Sequence, residues 1–82
     1  MALAIKQVEY LNNYKLKLFF SDGKENTIDF EPFLKSAKNP MTTKYLDTNT
    51  FSNFNITYGD LEWNDFEMCF PIWDLYTKKN IE

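Results

Sequence analysis

The sequence predicts an α+β domain: a small, mostly antiparallel sheet of five to six strands, in the order β-β-β-α-β-β-(β)-α, covered by short helical segments. Three observations lead there. Period-two alternation dominates the chain, most clearly where Tyr14, Leu16, Leu18 and Phe20 bracket Lys15 and Lys17. Asp22-Gly23 and Gly59-Asp60 interrupt the alternation with turn chemistry. Pro32 and Pro71 stand where short helical segments begin, and Asn39-Pro40 stands where the first of them closes.

The first strand is expected over Leu3 to Tyr10. Leu3 and Ile5 share one parity and Val8 and Tyr10 the other, so a bulge or bend near Lys6-Gln7 is needed. Leu11-Asn12-Asn13 reads as a turn, and the second strand runs from Tyr14 to Phe20. Ser21-Asp22-Gly23-Lys24 is a hairpin turn of the type I′ kind, leading into a third strand, Glu25 to Phe30, with Asn26, Ile28 and Phe30 on one face. A short helix follows at Pro32, with Glu31 near its positive end. Thr42 is the candidate cap of a second helical turn ending at Asp47, and Asn49 to Asn53 reads as a polar connection around Phe51. Phe54, Ile56 and Tyr58 then alternate, followed by a turn at Gly59-Asp60. Leu61 and Trp63 alternate with Asp60 and Glu62, and after a turn at Asn64-Asp65, Phe66, Met68 and Phe70 alternate with Glu67 and Cys69. Pro71 opens a last helical turn through Tyr76. Phe33, Leu34, Tyr45, Leu46, Trp73, Leu75 and Tyr76 are the expected cover of the sheet's apolar face. The whole is read as one domain over residues 1–82, ordered over about 3–76, with 77–82 a polar, fraying tail.

Composition narrows the chemistry. Of 82 residues, nine are basic, all of them Lys, and twelve are acidic, for a net charge of −3. Without Arg, the planar fork that grips phosphates and guanine edges is missing, so direct nucleic-acid binding is not expected. Without His, the commonest general base and imidazole metal ligand are gone. The one cysteine, Cys69, leaves no internal disulfide, which fits a reducing cytoplasm. No apolar run is long enough to span a bilayer, and the N-terminal residues do not form a signal segment.

The motifs, taken in order, resemble a known family. They are Ser21-Asp22-Gly23, Ile28-Asp29 with Leu34, Tyr45-Leu46, and Phe51 with Phe54-Asn55-Ile56. Leu61-Glu62-Trp63-Asn64 and Phe66-Glu67-Met68-Cys69-Phe70-Pro71 follow, with Leu75-Tyr76 at the end. Together they resemble the bacterial domain-of-unknown-function 2442 family over roughly Ile5 to Tyr76. The resemblance implies a small β-rich α+β fold and no established activity. It further implies relatives with an appended helix-turn-helix domain, for which an 82-residue chain has no room, and relatives encoded in toxin–antitoxin-like pairs.

Each candidate constellation has a plainer reading. Asp60, Glu62, Asp65 and Glu67 place four carboxylates within eight residues, enough to suggest a divalent cation or an acid/base pair. The spacing matches no EF-hand loop, and a solvated sheet face that keeps a hairpin from aggregating explains it better. Cys69 has no base nearby and reads as inert. Asp22, Gly23 and Gly59 read as turn residues, Asp29 as a cap or amide partner, and Lys6, Lys15 and Lys17 as solvated. The aromatics carry more information: two Trp, five Tyr and eight Phe exceed what one thin core is expected to cover. Phe19, Trp63, Phe70, Trp73 and Tyr76 are therefore the candidate surface for a partner or ligand. The expectation is a non-enzymatic protein-interaction module, a homodimer or half of a protein pair, with no catalytic residue, cofactor or metal. The alternative is a small-ligand-binding regulatory domain with an apolar pocket beside Trp63 or Trp73.

Overall fold

The structure is a computed structural model that describes residues 3–78 and residue 81. It is α+β and antiparallel, as the alternation predicts, with six strands among the described residues. They form two three-stranded sheets rather than one: β1 (Ile5–Asn12), β2 (Lys15–Phe20) and β3 (Glu25–Asp29) in one, β4 (Phe54–Thr57), β5 (Asp60–Trp63) and β6 (Met68–Cys69) in the other. Between the sheets in sequence lie α1 (Glu31–Ser36), α2 (Pro40–Thr43), a 3₁₀ turn (Lys44–Leu46) and α3 (Thr48–Phe51). The last element is α4 (Ile72–Thr77).

Local chemistry sets most boundaries. β1 shifts register between Ile5 and Gln7, where its parity changes in sequence, and again between Tyr10 and Asn12. Its turn falls at Asn13, with φ of 48°. The β2–β3 hairpin is not the type I′ turn expected. Only Gly23 has positive φ (93°), Gly23 N–H donates to Phe20 O (3.0 Å) and Phe20 N–H to Lys24 O (2.9 Å). This is a three-residue loop closed by a left-handed glycine. Asn39-Pro40, expected to end a helix, instead starts one: the Asn39 side chain accepts from Met41 N–H and Pro40 takes the first helical position. Asp47 does the same for α3, so the segment around Phe51 is a helical turn with Phe51 fully buried, not a polar connection. At the β4–β5 turn, Tyr58 and Gly59 both have positive φ (52° and 81°), the type I′ signature.

One cluster of buried side chains runs through both sheets. Leu16, Leu18, Phe20 and Ile28 come from the first, Leu61, Trp63 and Met68 from the second, and Phe30, Leu34, Tyr45, Phe51 and Leu75 fill between. Phe30 is central, with ring centroids 5.7 Å from Phe51, 5.9 Å from Trp63 and 5.2 Å from Phe70. Such edge and tilted pairs add about 0.5–1.5 kcal/mol each beyond area burial. The sheets meet where Ile5 N–H donates to the Gly59 carbonyl (2.9 Å). The expected tail begins differently: Thr77 belongs to α4, and Ile81 is only 4% exposed within the core cluster. Lys78 closes α4 with left-handed φ of 64°, and the rest of the expected tail, residues 79, 80 and 82, lies outside the described residues. Among the described residues, no helix is long and apolar enough to cross a membrane.

Candidate functional site

Two surfaces stand out, one aromatic and one polar. The first is built by α4. Its Leu75 points into the core, which turns Trp73 outward. Trp73 is 63% exposed and stacks on Tyr76, three residues on, with centroids 5.2 Å apart and planes at 26°.

Tyr76 is held from several sides. Phe20 presents its edge at 5.0 Å, and Lys24 Nζ stands 4.1 Å from the ring centroid. The Tyr76 hydroxyl donates to Asp22 Oδ2 (2.6 Å), and its backbone carbonyl accepts from Asn26 Nδ2 (2.6 Å). Asp22 also accepts from Lys24 N–H (2.9 Å) within its own turn. The hydrogen bond from Tyr76, then that from Lys24, hold the Asp22 carboxyl below the usual carboxylate range, and the same contact raises the Tyr76 hydroxyl. Asp22 is thus more than a turn residue: it fastens the C-terminal helix to the first hairpin. Trp73 stands on a ring that has little freedom to move.

The five candidate surface residues separate. Trp73 and Tyr76 adjoin. Trp63, on the same face of β5 as Leu61, and Phe70, just past the end of β6, both lie in the core against Phe30, so neither can anchor a partner. Phe19 is half-buried on the opposite face of β2 from Phe20, the residue that touches Tyr76, and lies under Lys17 Nζ at 5.4 Å. Trp73 was also expected to cover the sheet; its exposure corrects that. Tyr58, read from the sequence as the last residue of an alternating strand, instead sits in the turn and is 99% exposed.

The second surface is an open cleft of about 550 Å³ beside the β5–β6 turn, lined by Lys44, Tyr45, Thr50, Asn53, Asn55, Asn64 and Asp65. It is polar, unlike the apolar pocket expected beside a tryptophan. One wall is unusual backbone: Asn64, Asp65 and Phe66 all have left-handed φ (50°, 56° and 66°). Asn and Asp tolerate this region, whereas Phe does so at a cost of about 1–2 kcal/mol. Two carboxylates brace the turn. Glu62 Oε2 accepts from Phe66 N–H (3.2 Å) and Oε1 from Asn55 Nδ2 (3.3 Å). Glu67 Oε1 accepts from Tyr45 OH (2.7 Å) and Asn64 Nδ2 (3.3 Å) and pairs with Lys44.

The solvated acidic face expected from the sequence is therefore corrected at Glu62, which is 3% exposed beneath the turn. Among the described residues, no group of three or more His, Cys, Asp or Glu is placed to hold a metal ion, and Cys69 is exposed and unbridged. Sequence reading missed Lys44, Thr50, Asn53, Asn55 and Asn64. Asparagine scattered between residues 53 and 64 is ordinary loop composition, and only the fold brings these side chains to one place.

Hydrogen bonds from Lys44, Tyr45 and Asn64 pull the Glu67 carboxyl down to about 2. Burial, then the bond to Glu67, pushes the Tyr45 hydroxyl up to about 12. A depressed carboxyl stabilises the fold fully above its unfolded value of 4.5 and loses that contribution as pH falls toward 2. A raised phenol contributes fully below 10 and loses its contribution as pH rises toward 12. Stability by urea titration is expected to fall at both extremes, and Glu67→Gln is expected to flatten the acid limb and, by removing the carboxylate beside Tyr45, to soften the alkaline limb as well. An unchanged acid limb in that variant would contradict the assignment.

A family model described as a protein of unknown function, DUF2442, matches residues 5–80, nearly the whole chain. No curated protein and no solved structure gives a match.

Proposed function

The chain belongs to the DUF2442 family, and from that premise we propose that it is a non-enzymatic interaction module that works with a second protein chain, as half of a toxin–antitoxin-like or regulatory pair. The observation that carries this reading is Trp73, exposed and stacked on a Tyr76 fixed by Phe20, Lys24 and Asp22. An aromatic anchor that is rigid before contact loses little entropy on docking, and Trp and Tyr dominate interface energetics.

The test is light scattering behind size exclusion, with the chain alone and mixed with the product of the adjacent gene. Trp73→Ala is expected to weaken the complex by about 2 kcal/mol or more, roughly thirtyfold. The thermal midpoint should hardly move, because the side chain faces solvent. A variant that binds as the parent does, or a chain that stays monomeric with every co-encoded product, counts against the reading.

A second reading, a small-ligand-binding regulatory domain acting with a separate protein, is favoured by the polar cleft at the β5–β6 turn.

A further inference from the structure

We propose that the cleft beside the β5–β6 turn binds an organic cation carrying N–H donors, an alkylammonium or guanidinium group. This rests on the second reading and names the ligand class for it; it is independent of the aromatic anchor.

The argument begins with which atoms are already used. A carboxylate only accepts hydrogen bonds, so the side-chain atom that Asn55 turns to Glu62, and that Asn64 turns to Glu67, must be its nitrogen. Each amide oxygen is left as an acceptor, with no donor to it among the described residues. Both asparagines line the cleft, as does Asp65. Each of these two amides directs one of its two N–H groups to a glutamate, and its oxygen adds an acceptor to the wall.

The charge points the same way. Among the described residues, Lys44 is the one cation lining the cleft, and Glu67 pairs with it. Glu62, behind Asn55, and Asp65, on the rim, then leave an excess of negative charge with no basic partner among the described residues. An anion would meet repulsion, and a neutral ligand would leave that charge unanswered. A bare metal ion would lack a cluster of ligating side chains among the described residues. A nitrogen cation with several directed N–H groups satisfies both the acceptors and the charge. The walls are also held in place, because the left-handed run Asn64–Phe66 is fixed by Glu62 and Glu67.

The test is titration followed by ¹⁵N correlation spectra, using 1,4-diaminobutane, agmatine and, for a basic side chain of a polypeptide, N-acetyl-lysine amide. Butyramide and 1-butanol serve as neutral controls. Saturable shifts at the side-chain amides of Asn53, Asn55 and Asn64, weakened by added salt, are expected for the amines and not for the controls. Asp65→Asn keeps a residue comfortable at positive φ and should weaken binding about fivefold, while Asn53→Asp should tighten it by a similar factor. A stronger response to the free diamine assigns the site to a small molecule, and a stronger response to the lysine derivative assigns it to a partner's side chain. Either supports the cation. The proposal is overturned if no amine gives saturable shifts, or if Asp65→Asn binds as the parent does. Shifts from the neutral compounds alone would overturn the cation while leaving a ligand-binding cleft in place.

Discussion

Trp63→Ala is expected to remove about 3–5 kcal/mol of stability, the loss typical when a large aromatic leaves a closed core. For a chain whose total stability falls in the usual range of about 5–15 kcal/mol, that approaches unfolding. Trp63 is fully buried and touches rings from five segments between residues 30 and 70: Phe30 after β3, Tyr45 in the 3₁₀ turn, Phe51 in α3, Phe54 in β4 and Phe70 after β6. It also donates Nε1–H to the Phe51 carbonyl (2.7 Å). Trp63→Phe separates the two contributions. It keeps most of the apolar volume but withdraws that donor from a buried carbonyl, for an expected loss of about 1–3 kcal/mol. Urea denaturation followed by circular dichroism measures both. If the alanine variant lost less than the phenylalanine variant, the place of Trp63 at the centre of the core would be wrong.

Gly59→Ala carries the second-largest expected effect. At φ of 81° an L-residue loses about 1–2 kcal/mol against glycine. A Cβ built there would also stand 2.8 Å from the Ala4 Cβ, closer than real side chains approach. Crowding of this kind costs about 1–3 kcal/mol more. The contact cannot relax freely, because the Gly59 carbonyl accepts from Ile5 N–H and so holds the start of β1 against the β4–β5 turn. Gly23→Ala is the natural comparison. It also has positive φ, but nothing lies within 4 Å of its Cβ position, so only the backbone part is expected. Equal losses in the two variants would show that the meeting of the two sheets places no steric demand on Gly59.

Much of the fold was legible because strands and turns write themselves into neighbouring residues. The alternation of β2, the parity break in β1 and the start of α4 after Pro71 all rest on contacts or torsions a few residues apart. What was not legible depended on distant partners. Nothing local shows that β4 pairs only with β5, in a separate sheet that meets the first where Ile5 contacts Gly59. Glu62 shares the parity of Asp60 and looks solvated, yet the left-handed run after Asn64 folds the chain back over it. Trp63 and Phe70 share only aromatic character with Trp73 and Tyr76 in the sequence; strand parity puts Trp63 inside, and packing on Phe30 and Phe33 buries Phe70 just past β6. The cleft was the hardest to anticipate: its lining comes from short separate segments, helical turns, a strand and polar loops, that only the fold brings together.

The chain has two tryptophans, one sealed and one in water, and this contrast gives the molecule its own optical labels. Acrylamide should extinguish the red-shifted emission of Trp73 while sparing the blue component of Trp63. A protein that seats itself on α4 would restore the first signal and leave the second untouched, whereas loosening of the interior would shift the second. Docking and unfolding can therefore be told apart in a single cuvette, without a dye or an added mutation.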